Sequence, residues 1–340
     1  MLSPLCALIG LFTNALVILV VHKIKDLKRD KFSAKNKNKD NMFKHIVAHS
    51  VFNVVYSAII LLRLINECSS DSLFCSTLHT ARAAQWFRVV VVEFAGNAVK
   101  TCCNVSYLGI SLSRLVLMQD KSSSCLGCLA RLNFKVYTLV LLAFGALLSA
   151  FKLFDYSIDE FYYSSFKKRY FPTESYNYFG CLLLRKKHND SLRCGLIDVA
   201  KLASYVVNDV VFFVAVVGLD LVLVGMVSKV VENKKKMVKK LGDEESKKKK
   251  KITRMVVVNN VVFVVAHLPE LVIFVLVLAY DESLLLLCVY NYECDNLSRM
   301  AQFFLFVSIV AQFGINKKFN KVFDESFQLV KRKWLRAGSA

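Results

Sequence analysis

Long apolar runs with sparse polar punctuation set the pattern of this chain. They fall near residues 2–22, 45–65, 86–118, 134–154, 199–231, 252–280 and 297–315. Each approaches or exceeds the roughly 20 apolar residues that carry a helix across a bilayer core. None alternates over about ten residues as barrel strands do, and 12 Gly and 3 Pro leave few helix breaks. The pattern predicts an all-α membrane protein, with a seven-transmembrane helix bundle over residues 1–315. The third and fifth runs exceed one bilayer thickness, so they should tilt or project into water. Residues 316–340 read differently: Phe319, Val322, Phe323, Phe327, Val330 and Trp334 recur at helical spacing with lysines between. That predicts a short amphipathic eighth helix on the inner leaflet, followed by a cytoplasmic tail. The opening MLSPLCALIG has no charged leader, and Lys23 and Lys25 follow the first run, which suits a signal anchor.

Charge fixes the expected orientation. The chain is 55% hydrophobic yet carries a net charge of +20. Its basic residues lie in blocks between apolar runs rather than along one face, which argues for membrane loops and against nucleic acid. Alternate loops on one side hold 31 Lys and Arg, against 9 on the other. Positive loops stay cytoplasmic, so the N-terminus is expected outside, the C-terminus inside, and the protein in the plasma membrane. The block KKLGDEESKKKKK at 239–251 then becomes an inner loop with attraction for anionic membrane lipids.

Cys68, Cys75, Cys181, Cys194, Cys288 and Cys294 fall in or beside outer loops, where disulfides form. Six cysteines leave the connectivity open; the candidate bridge joins Cys75 to Cys181. Cys125 and Cys128 form an isolated CxxC without histidine, better suited to free thiols or lipid attachment than to a metal. No metal or cofactor is expected. Asn189, in NDS on the long second outer loop, is a glycosylation candidate; Asn104, in NVS, lies inside the third span.

Small polar features recur at particular depths. Gly10 and Asn14 sit four apart in the first span, and a lone asparagine in hydrocarbon needs an interhelical partner. Pro269 lies inside the sixth span with Phe263 six residues earlier, a tolerated kink and a useful pivot. Arg114 stands near the end of the third run, in ISLSRLVLM, with no acid beside it. Together these resemble the rhodopsin-like family of G-protein-coupled receptors over essentially the whole chain. Gly10 and Asn14 match its Gly-x-x-x-Asn, Arg114 the arginine of its Asp-Arg-Tyr, Phe263 and Pro269 its span-six pivot, and Phe319 the opening of its eighth helix. The departures resemble divergent invertebrate-type members. Ser113-Arg114-Leu115 replaces Asp-Arg-Tyr, and His267 occupies the place of the span-six tryptophan. Ser308 to Gln312 matches none of Asn-Pro-x-x-Tyr, and Asn53 replaces the span-two aspartate that binds sodium in the family. Asn14 and Asn53 are then the polar core of the bundle. The resemblance implies a heterotrimeric G protein as cytoplasmic partner, met by Ser113, Arg114 and Arg254, and an extracellular ligand. With its restraining acid gone, Arg114 implies an off state held elsewhere or held poorly.

Ionisable residues inside spans are costly and usually face a cavity or a partner. Glu93, Gly96, Asn97 and Lys100 in the third span, Asp209 in the fifth, Glu270 in the sixth and Arg299 at the seventh are the candidate ligand cavity. Lys100 is expected to pair with Glu270 or Asp209, either serving ligand recognition or only fixing helix registry. His267 reads more readily as a packed, hydrogen-bonded residue than as a proton sensor. The position where amine receptors hold an ammonium with aspartate is Gly96, which disfavours amines. The long outer loop from Lys152 to about Asp198, of mixed charge, favours a peptide. Two other readings stay open: a transporter or channel relaying through Glu93, Lys100 and Asp209, and a seven-helix scaffold that has lost signalling. No internal repeat supports transport. No Ser-His pair, His cluster or phosphate loop supports an enzyme.

Overall fold

A computed structural model of the chain describes residues 2–29, 37–63, 81–118, 134–163, 167–174, 191–237, 242–279, 292–319 and 321–337. Cys75, Cys181 and Asn189 lie outside these described residues. Seven long helical segments form the bundle: α1 (Leu2–Arg29), α2 (Lys37–Arg63), α3, α4 (Phe134–Ser149), α5, α6 (Gly242–Ala279) and α7 (Tyr292–Phe319). Segment α3 runs through Arg82–Phe87, a π-helical stretch Arg88–Ala95 and Gly96–Met118. Segment α5 likewise joins Ser191–Tyr205, a π-helical stretch Val206–Val211 and Phe212–Met237. An eighth helix, α8 (Lys321–Ala337), follows α7.

Helices dominate because hydrocarbon offers no water to bond the backbone, so each segment must satisfy its own N–H and C=O groups. The described residues depart from an all-helical architecture in one place. An antiparallel hairpin, β1 (Tyr156–Tyr163) and β2 (Lys167–Glu174), follows the short helix Lys152–Asp155 after α4. Its register runs from Tyr156 opposite Glu174 to Tyr163 opposite Lys167, and it packs on the first turns of α3. Polar loop sequence outside the hydrocarbon is free to pair this way, which span periodicity does not forecast.

Among the described residues, six helices are long and apolar enough to cross a membrane by composition alone: α1, α2, α4, α5, α6 and α7. The remaining segment, α3, has a physical reason to be more polar. It packs against α2, α4 and α5, so its Thr101, Asn104, Ser106, Ser111 and Ser113 are buried among neighbours rather than in lipid. In contrast, α4 turns Leu139, Val140 and Leu147 outward.

Among the described residues, the two largest of four apolar clusters tie the bundle together. Phe52, Tyr56, Val99, Leu141, Leu305 and Phe306 join α2, α3, α4 and α7 in one half. Val17, Val20, Ile24, Phe43, Ile110 and Phe323 join α1, α2, α3 and α8 at the other end. Helix α8 thus docks through Phe323, 2% exposed, and both Phe323 and Phe327 meet the Phe313 ring of α7 edge-on. Close approach demands glycine at Gly145: a Cβ there would meet the Ala98 carbonyl oxygen at 2.5 Å. That contact seats α4 directly on the backbone of α3.

Candidate functional site

Lys100 reaches across the bundle from α3. Its Nζ lies 2.9 Å from Glu270 Oε1 on α6 and 3.4 Å from Asp209 Oδ1 on α5. The three side chains are 18%, 13% and 9% exposed, so each charge depends on the others rather than on water. His267, one turn before Glu270, places Nδ1 3.6 Å from Glu270 Oε2, an oxygen with no hydrogen-bond partner. Asp209 lies within the π-helical stretch of α5. Such stretches often mark functional positions, since the extra residue per turn re-aims side chains.

Beneath Lys100 the bundle encloses a cavity of about 30 Å³, lined by His49, Tyr56, Tyr107, Phe263, His267 and Gln312 among others. That is water-sized, well below the volume of a small-molecule pocket. Phe263 stacks on Tyr107 with ring centroids 4.9 Å apart and meets the His267 ring at 4.3 Å. Helix α6 continues through Pro269 as one helix to Ala279.

His49 ties three helices below this cavity. Its Nε2 lies 2.9 Å from Gln312 Oε1 on α7, and its Nδ1 lies 3.0 Å from the Ser106 hydroxyl on α3. Nδ1 also lies 3.1 Å from the Cys103 carbonyl oxygen, to which the Ser106 hydroxyl donates at 2.9 Å. Alongside, Asn53 donates to Asn14 Oδ1 at 3.3 Å, and Asn14 donates to the Gly10 carbonyl at 2.8 Å. Tyr107 is hydrogen-bonded to Asn259 of α6. A second cavity of about 20 Å³ shares His49, Tyr107 and Gln312 with the first and reaches Arg114. Polar side chains therefore run from the Lys100 cluster to Arg114 through the middle of the bundle.

Several sequence candidates stand apart from this seam. Glu93 lies 3.8 Å from Lys152, just beyond α4. Asn97 donates to Ser149 of α4 at 3.1 Å, and a Cβ on Gly96 would contact Ile59 of α2. The structure therefore gathers Lys100, Asp209, Glu270 and His267 but turns Glu93, Gly96 and Asn97 toward α2 and α4. Glu93 and Lys100 are separated because the π-helical stretch holding Glu93 interrupts the seven-residue phase expected of a regular α-helix. Arg299 lies on α7 near its start. Arg254 is exposed on α6, whereas Ser113 is 4% exposed with its hydroxyl unbonded. Asn104 is buried and donates to the Asn208 carbonyl of α5 at 3.3 Å.

The sequence pattern did not single out His49, Tyr56, Ser106, Tyr107, Asn259 or Gln312 of this seam, nor Asp220, buried on α5. Asp220 is a lone acid in VGLDLVLVG of the fifth run, the very signal that singled out Asp209. His49 and Gln312 carry no comparable charge signal. A family model described as serpentine type 7TM GPCR chemoreceptor Srw matches residues 46–317. No curated protein matches the chain.

Proposed function

The chain belongs to the serpentine type 7TM GPCR chemoreceptor Srw family, and on that footing we propose that it binds an extracellular ligand and activates a cytoplasmic heterotrimeric G protein. The family is one of multi-pass membrane receptors and not of enzymes. The N-terminus is outside and the C-terminus cytoplasmic in this reading, as the distribution of Lys and Arg favours. The observation that carries the mechanism is the Lys100–Glu270–Asp209 cluster, which joins α3, α5 and α6 beneath the outer half of the bundle. A ligand that competes for one of these charges changes the relative free energy of two packings of α6, and so shifts their populations. Phe263, stacked on Tyr107 and tilted against His267, passes that change toward the inner end, with Pro269 as the pivot. Arg114, Ser113 and Arg254 then meet the G protein.

A peptide is favoured over an amine. The position at which an amine receptor carries its span-three aspartate is Gly96, against α2. The β1–β2 hairpin lies next to α3. A relay through Glu93, Lys100 and Asp209 finds less support, because Glu93 engages Lys152 instead. The test is a peptide and amine screen in transfected cells with a promiscuous G protein, reading nucleotide exchange. A peptide response that Arg114→Ala lowers about 10-fold or more supports the reading, as the loss of a charge-assisted contact predicts. Full signalling by Arg114→Ala at equal surface expression overturns the role given to Arg114.

A further inference from the structure

Arg114 has lost the neighbouring acid, but the fold supplies another. Helix α5 presents Val216, Asp220 and Leu223 on one face, at helical spacing. Val216 packs with Tyr107 and Phe263, and Leu223 packs with Leu115 and Val256. On α3 the matching ladder is Tyr107, Ser111, Arg114 and Leu115. The two clusters bracket Asp220, so its side chain enters the bundle level with Ser111 and Arg114. Asp220 is 0% exposed, and neither carboxylate oxygen has a hydrogen-bond partner. Ser111 Oγ and Arg114 Nη1, one turn apart on α3, are likewise buried without a hydrogen-bond partner.

A wholly buried carboxyl in hydrocarbon either takes up a proton or is compensated by an opposite charge at its level. Arg114 is the cation on α3 at the level of Asp220, one to two turns beyond Tyr107, which is held to α6 through Asn259. We propose that Asp220 is the positioning residue that restrains Arg114 in the ligand-free receptor, replacing from α5 the acid that Ser113 does not provide on α3. The restraint is inter-helical. It ties α3 to α5 beside the Tyr107–Asn259 link to α6, so separation of α5 and α6 from α3 frees Arg114 for the G protein. The off state is therefore held across helices rather than within one.

This inference rests on the G-protein reading for its consequence, and the experiment separates the two. Fluorescent donor and acceptor groups are placed within residues 239–241 and after Ala340, and energy transfer is read without ligand beside basal nucleotide exchange. Asp220→Asn is expected to move energy transfer to a second value and to raise basal exchange about 5-fold or more, the size of a typical coupling. Asp220→Glu, which keeps the charge, should stay near the wild type. Arg114→Gln removes the restraint from the other side. It should move energy transfer as Asp220→Asn does, without raising exchange, and should leave Asp220→Asn with no further effect. Arg114→Gln also keeps the test decisive if Asp220→Asn does not reach the surface. Unchanged energy transfer in both single variants overturns the restraint, as does an Asp220→Asn effect that persists in full with Arg114→Gln. Altered energy transfer with no exchange in any variant supports the restraint and overturns the G-protein reading.

Discussion

Lys100 illustrates what one charge does inside the bundle. With Glu270 at 2.9 Å and Asp209 at 3.4 Å, it is the cation between two carboxylates drawn from different helices. Removing one partner of such a cluster strands the rest, at a cost of about 3–5 kcal/mol. Lys100→Met is therefore expected to lower the thermal unfolding temperature of purified receptor sharply. Lys100→Met combined with Glu270→Gln should recover part of that loss, and a double variant no more stable than Lys100→Met would exclude the direct pair. The His49 tie is a second residue-level case. His49→Phe leaves the Gln312 and Ser106 side chains without this partner, which is expected to cost about 1–3 kcal/mol by the same thermal measurement.

Between elements, the glycines separate close helix contacts from open ones. Gly145 sets α4 on the α3 backbone, and a side chain there drives into the Ala98 carbonyl. Overpacking of this kind costs about 1–3 kcal/mol or more, so Gly145→Val should reduce surface expression in cells. Gly218 on α5 has nothing within 4 Å of its would-be Cβ. Gly218→Ala should be neutral or stabilising by about 0.5–1 kcal/mol, because alanine is the better helix former. Equal behaviour of the two variants would show that the α3–α4 approach is not tight. The spans themselves were legible as apolar runs, whereas the π-helical stretches at Arg88–Ala95 and Val206–Val211 were not. Their local sequences, RVVVVEFA and VVNDVV, are apolar stretches carrying two polar residues each. One extra residue per turn is a response to how neighbouring helices pack, not to local propensity.

At the scale of the whole molecule, orientation is the prediction with the most consequences. An epitope placed before Met1 should be stained on intact cells, and one placed after Ala340 only after permeabilisation. The reverse pattern would put Arg114 and the basic 239–251 block outside and remove the G-protein role from both. Family membership over residues 46–317 makes the receptor architecture secure without reference to that result.

The sequence by itself determined the membrane class and the all-α bundle. Those follow from transfer free energy and helical periodicity, which are additive along a chain. It also exposed Lys100, Asp209, Glu270 and Arg114, because a charge in hydrocarbon is conspicuous wherever it points. Only the tertiary structure decided which of these meet. Glu93 turned to Lys152 and Lys100 to Glu270 and Asp209, while Asp220 came level with Arg114 from a helix more than a hundred residues away. Partners of buried charges are set by the rotation and register of packed helices, and those depend on side chains from several segments at once. The lone arginine of ISLSRLVLM is unpaired along the chain and opposed in space.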